Sequence, residues 1–324
     1  MMTFSSVLAS TIEKYLTLKR ALGRQYALEE RVLACMDRFL SVRHADLNVE
    51  TFDAWCLTLQ HLASGNRRGY MRQVRNLCLY RRRHDPGCFV PDERLFPPLH
   101  QVIRPHIFTD SQLSRLLAVA NTLARTSNSP LCPENLRLAI VLLYTTGLRR
   151  GELIRLTVGD FDQHERTLAI LESKFHKSRI IPLSTDTSNE IWHVLNIRRL
   201  QRFPVDADSP LLWHRNRSYS GGGLSCTLRA LFQQAAIRTS AGQLPRTHDF
   251  RHGFAVTALL RWYRAGADVQ AKLPLLATYM GHVSIASTAY YLQFVEPLAA
   301  AASTRFAEHC GALITPTPNS GGAR

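Results

Sequence analysis

Four short segments beyond residue 140 gather side chains that can grip an anion and move protons. The first is Thr146-Gly147-Leu148-Arg149-Arg150-Gly151-Glu152-Leu153, where Gly147 permits a sharp turn and Arg149 leaves that turn fixed against a core. The second, Glu172-Ser173-Lys174-Phe175-His176-Lys177-Ser178-Arg179, holds two of only five lysines in the chain. In the third, Thr247-His248-Asp249-Phe250-Arg251-His252-Gly253, His248 and Arg251 are three apart and share a face if the segment is helical. The fourth runs from Met280-Gly281-His282 to the pair Tyr290-Tyr291. Two guanidiniums can hold an oxyanion with paired donors and keep their charge near neutrality. A tyrosine hydroxyl, with a reference pKa of about 10, needs its proton removed before it can attack. Taken singly, each segment has an ordinary explanation: an Arg that caps a helix, a solvated hairpin Lys, a chance His-x-x-Arg, a Tyr pair in a core.

Order and spacing separate this set from chance. TGLRxxEL, then a Lys eight residues before Pro182, then HxxR, then Gly-His followed nine residues later by Tyr, resembles the tyrosine recombinase (phage integrase) family over roughly residues 108–300. The resemblance implies a catalytic pocket of Arg149, Lys174, His248, Arg251 and His282, with Tyr291 as nucleophile. It implies a site-specific DNA recombinase that cuts and rejoins strands through a 3′-phosphotyrosyl link. The chemistry suits the residue types. Attack on a phosphodiester loads charge onto its nonbridging oxygens, which Arg149 and Arg251 can grip with His282 as a third donor. His248 serves as general base, and Lys174 protonates the departing 5′ oxygen. The covalent link stores the bond energy, so resealing needs no ATP, and no carboxylate cluster near these segments suits Mg²⁺; neither metal nor cofactor is expected. Glu152 is expected to orient Arg149 rather than react; Lys177 and Tyr290 are the runners-up to Lys174 and Tyr291, and His252 and His176 sit off the matched positions.

Two features depart from the family's pattern. The stretch from Arg251 to His282 is long and reads as a loop insertion or an extra DNA contact through Arg261 and Arg264, and Met280 stands where Leu is usual. This wording resembles transposon-associated recombinases, including those found in tandem trios. Competing readings are a type IB topoisomerase-like nicking and resealing enzyme and a catalytically silent DNA-binding accessory protein.

The elements that must position these residues can be read coarsely. Apolar spacing predicts two helices over residues 5–45, through Val7, Ile12, Tyr15 and Leu16, then Leu28, Val32, Leu33 and Met36, and a third over 49–62. From Ala54 to His84 there is no acidic residue but seven arginines: Arg67, Arg68, Arg72, Arg75, Arg81, Arg82 and Arg83. With apolar residues between them at helical spacing, they predict a helix with one face in a core and one against phosphates. Prolines cluster between Pro86 and Pro105. The expected division is therefore a helical, DNA-binding N-terminal domain (1–85), a linker (86–107), a catalytic domain (108–310) and a loose tail (311–324). Within the catalytic domain, helices are expected over 111–123 and 136–145, a hairpin pairs 167–171 with 179–183, and the final third is helical, ending in a helix over 295–309 that docks on its own domain or a neighbouring subunit. The fold class is thus mainly α with a small β-sheet in the C-terminal domain, a two-domain clamp on DNA.

Composition agrees with that partner. The 324 residues carry 40 Lys plus Arg against 25 Asp plus Glu, a formal charge of +15, with an ordinary 45% hydrophobic content that excludes a basic disordered tail. The excess is positive both before and after residue 104, suiting one long polyanion, double-stranded DNA. Seven cysteines form no CxxC pair, which argues for reduced thiols, and no signal peptide or membrane span is visible, so a cytoplasmic protein is expected. Exchange between two duplexes needs four cleavages. A homotetramer on DNA is expected, with related recombinases or accessory DNA-bending proteins as possible partners.

Overall fold

A computed structural model describes residues 2–98, 104–171, 178–214, 217–282, 288 and 303–304. The chain forms two compact units, Met1–Ile103 and Arg104–Arg324. The described residues are mainly helical, with two small antiparallel sheets among them. Among the described residues no helix is long and apolar enough to cross a membrane.

In the first unit, α1 (Ala9–Ala21), α2 (Ala27–Arg43), α3 (Val49–Thr58) and α4 (Ser64–Arg81) enclose one core. Ile12, Tyr15 and Leu16 meet Leu33, Met36 and Leu40, with Phe52 and Trp55 from α3 and Val74 and Leu77 from α4. Val7 and Leu28, read as part of the apolar stripe, are exposed instead, because both sit near the start of a helix, outside the turns that pack. Asn48 caps α3 by accepting from the Thr51 amide at 2.8 Å, and α3 ends at Thr58, short of the expected 62. The proline-rich stretch read as a linker packs as far as residue 96: Cys88 is buried, and Phe89, Val90 and Phe96 lie on the first core. Aromatic residues between the prolines supply apolar area that a free linker would leave in water.

The second unit is built around α6 (Cys132–Thr146), which buries Leu136, Leu138, Ala139, Ile140, Leu142 and Leu143. A helix apolar on nearly every side must be surrounded, and α5 (Asp110–Asn121), α8 (Thr185–Leu200) and α10 (Asp249–Arg264) pack on it. Thr109 caps α5 through a reciprocal pair with Gln112. Strands β1 (Phe161–Asp162), β2 (Thr167–Ile170) and β3 (Arg179–Pro182) form an antiparallel sheet in which Ile170 pairs with Arg179; β1 was not expected, being only two residues long. A two-stranded ribbon, β4 (Trp213–His214) with β5 (Arg217–Ser218), precedes α9 (Gly221–Gln234). Phe108 stacks on Phe250 with ring centroids 4.4 Å apart, fixing the start of α10 to the core.

The segment between Arg251 and His282 is not a loop insertion. Helix α10 runs to Arg264, and after a short turn α11 spans Val269–Met280. The pair shares a core of Ala255, Val256 and Leu259 against Leu273, Leu276 and Met280. The length reflects a helical hairpin whose apolar residues recur at helical spacing on both arms.

Candidate active site

The two ends of α6 and α11 make the site. Helix α6 stops at Gly147, whose φ of +61° lies in the left-handed region open to glycine, and an added Cβ there would stand 2.6 Å from Phe254 Cδ1. The chain then reverses through buried Leu148 and places Arg149 at the head of the short helix α7 (Arg150–Leu153). Helix α11 likewise stops at Gly281 with φ +64°. His248 occupies the N-cap position of α10, which carries Arg251 in its first turn.

These ends converge. The Arg251 guanidinium, 1% exposed, donates to the carbonyl of Gly147 at 2.7 Å and to that of Met280 at 2.6 Å. Arg149 donates from Nη2 to the carbonyl of Gly281 at 2.8 Å and from Nη1 to Glu152 Oε1 at 2.7 Å. The last carbonyls of a helix carry partial negative charge, so two cations at the ends of α6 and α11 are favourably placed. His282 follows Gly281 directly, and its Nδ1 lies 2.7 Å from Thr288 Oγ1. His248 and His252 meet edge to face, with ring centroids 4.7 Å apart.

Glu152 is the site's described carboxylate between arginines. It is 3% exposed and takes four hydrogen bonds: from the backbone N–H and Nη1 of Arg149, and from Nη1 and Nη2 of Arg179 at 3.1 and 2.9 Å. Burial pushes its pKa up, but the Arg179 and Arg149 hydrogen bonds outweigh that and hold it at about 2. The histidines move the other way. Burial first, then the positive charge of Arg251, Arg149 and Arg179, lowers His282 to about 4. Burial and the adjacent His248 lower His252 to about 4, and burial with Arg251 and Arg246 lowers His248. Each shift favours the neutral imidazole, the form that can accept a proton.

Of the six residues expected in the pocket, Arg149, His248, Arg251 and His282 are described, and contacts or electrostatic coupling link all four. Lys174 and Tyr291 lie outside the described residues, as do Lys177, His176, Tyr290 and all of the expected C-terminal helix except 303–304. The residue that sequence reading missed is Arg179. In the sequence it is the first residue of the expected second hairpin strand; its one signal was its place between the lysine-bearing segment and Pro182.

The N-terminal arginines divide. Arg81 grips both oxygens of Asp46 at 2.7 Å and pairs with Asp85; Arg68 pairs with Glu93 and donates to the carbonyl of Pro97. Arg72 approaches Glu93 at 3.6 Å. Arg82 and Arg83 are exposed, and Arg67 and Arg75 are half-buried. Asp46, Asp85 and Glu93, outside the acid-free run, pair with its arginines, which the linear text does not reveal.

Comparison with known proteins identifies the family. The model of the phage integrase family matches residues 106–296. The putative integrase/recombinase y4rB of Sinorhizobium fredii is 31% identical over 292 residues, covering 89% of this chain and 93% of that protein. Tyrosine recombinase XerC of Herpetosiphon aurantiacus is 31% identical over 204 residues, covering 62% of this chain and 60% of its own length. Among solved structures, the Tn1549 transposon integrase in complex with transposon right end DNA superposes with a TM-score of 0.61 at 16% identity, covering 92% of this chain and 98% of that one. A lambda integrase dimer bound to a COC′ core site gives a TM-score of 0.59 at 17% identity, covering 89% and 79%. With its helix ends, buried arginines and matched length taken together, this chain belongs to the phage integrase family and is a site-specific recombinase of the tyrosine type.

Proposed function

We propose that this recombinase cuts and rejoins DNA through a 3′-phosphotyrosyl intermediate on Tyr291. The observation that carries the reading is the convergence of Arg149, Arg251 and His282 on the ends of α6 and α11, through contacts that span 132, 104 and 29 residues of sequence. In the proposed step the Tyr291 oxygen bonds to phosphorus, the P–O5′ bond breaks, His248 accepts the tyrosine proton, and Lys174 protonates the 5′ oxygen. Arg149 and Arg251 neutralise the charge gathering on the nonbridging oxygens, and the neutral His282 ring donates a hydrogen bond to one of them. Rejoining reverses the roles, with a 5′ hydroxyl attacking the phosphotyrosine, so neither ATP nor metal is called for. The formal charge of +15, spread over both units, supplies the sequence-independent grip on duplex DNA. Strand exchange proceeds in a homotetrameric synapse in the cytoplasm, where related recombinases or DNA-bending proteins can join it.

The test is a duplex carrying a binding site selected by the protein from a random library, nicked at successive positions so that cleavage releases a short fragment. A covalent protein–DNA adduct that survives denaturant is expected, and Tyr291→Phe must abolish it. An adduct that persists in Tyr291→Phe overturns the assignment.

A further inference from the structure

Arg179 opens β3 and lies at the side of the hairpin facing α11. Its side chain is 10% exposed and saturates three donors: Nε to the carbonyl of Tyr279 at 2.8 Å, and Nη1 and Nη2 to the two oxygens of Glu152. From the Arg149 guanidinium Glu152 accepts through Nη1, while Arg149 Nη2 donates to the carbonyl of Gly281. A buried carboxylate with a single arginine beside it draws that guanidinium into a two-pronged pair. Sharing Glu152 with Arg179 prevents this and keeps Arg149 turned toward Gly281. The neighbouring backbone is shaped for the arrangement: a Cβ on residue 281 would stand 2.8 Å from Arg179 Nη1 and 3.5 Å from Arg149 Nη1. Glycine at 281 therefore serves two needs, its positive φ and the close approach of two guanidiniums.

We propose that Arg179 is a positioning residue for recombination, holding Glu152 and, through it, the Arg149 guanidinium in line with the Gly281 turn. The proposal rests on the reading of Arg149 as a phosphate ligand. Lysine cannot replace Arg179, because one ammonium cannot span both Glu152 oxygens and the Tyr279 carbonyl in a fixed plane. Arg179 also ties the loop end of the β2–β3 hairpin to the end of α11, just before the turn that bears Gly281 and His282.

Two measurements on the full chain test this. The first is single-turnover adduct formation at saturating DNA, using the nicked duplex above, for wild type, Arg179→Met, Arg179→Lys, Arg149→Lys and the double variant Arg149→Lys/Arg179→Met. Arg179→Met is expected to slow adduct formation by about 10- to 100-fold, as loss of an orienting partner does at other sites, with DNA affinity changed by less than about 3-fold. Arg179→Lys is expected to recover little, and the double variant to be no slower than Arg149→Lys alone, since both act through one guanidinium. Rate losses that multiply in the double variant, or an unchanged rate in Arg179→Met, overturn the proposal. The second readout needs no catalysis: the ¹⁵N resonance of Arg149 Nε–H is expected to shift or broaden in Arg179→Met and in Gly281→Ala, which displaces the same guanidinium but leaves its charge. An unchanged resonance in both variants overturns the proposal. Absence of any Tyr291-dependent adduct in wild type would instead defeat the functional reading and leave this second test standing.

Discussion

Replacing Glu152 by Gln removes one buried negative charge from between two half-buried cations, Arg149 and Arg179. Its pKa falls from the ordinary 4.5 to about 2, so folding favours the charged carboxylate by about 3 kcal/mol. The sign follows from the direction of that shift. A carboxyl lowered in the folded state contributes its full stability above the unfolded value near 4.5 and loses it as pH falls toward 2. Glu152→Gln is therefore expected to lower stability by about 3 kcal/mol at pH 7, within the range for breaking a buried ion pair. The deficit should shrink to about 1 kcal/mol at pH 3, where the unfolded wild-type carboxyl is almost wholly protonated. Urea denaturation of the full chain, read by hydrogen-exchange mass spectrometry on peptides from α6 and α10, follows the second unit separately from the first. A loss below about 0.5 kcal/mol at pH 7, or a deficit that stays constant between pH 7 and pH 3, would refute the claim that the Arg149 and Arg179 bonds outweigh the burial of this carboxylate.

Histidine linkage runs at higher pH. With His252 and His282 both at about 4, the unfolded chain binds more protons between pH 6.5 and 4, so stability rises with pH across that window; His252→Gln should reduce the slope in the same urea titrations. Glycine substitutions should split: Gly147→Ala, at φ +61° and 2.6 Å from Phe254, should cost more than about 2 kcal/mol, whereas Gly253→Ala, inside α10 with no atom within 4 Å of the new Cβ, should be neutral or stabilise by up to about 1 kcal/mol in thermal unfolding. Among the N-terminal arginines, Arg81→Met should lower stability by about 1 kcal/mol or more through loss of its Asp46 and Asp85 pairs, while Arg83→Met should leave stability unchanged. If Arg83 touches a phosphate, its removal should also lower the slope of log affinity against log salt by about 1 in DNA-binding titrations.

Local signals carried much of the architecture. The Thr109-Gln112 capping pair, the apolar stripes of α2 and α4 and the hairpin around residues 167–183 follow rules acting over a few residues, and short-range chemistry suffices to place them. Where the sequence reading differed from the structure, distant atoms decided. Phe96 leaves the proline-rich stretch for the first core, and α10 and α11 pair through apolar faces in a stretch whose length read as a loop insertion or an extra DNA contact. The acid-free arginine run shows the same dependence, since Asp46 and Glu93 reach it only once the helices have packed.

The sequence by itself determined the residue types and their order: a turn glycine before Arg149, His248 and Arg251 three apart, Gly281 before His282, and an excess of positive charge. Such features survive in one dimension because they rest on local backbone geometry and on net charge. Tertiary structure alone decided which arginine holds Glu152, how Arg251 bridges the ends of α6 and α11, and why three histidines favour the neutral form. Those properties depend on burial and on fields from groups far away along the chain, and neither is defined until the helices have packed.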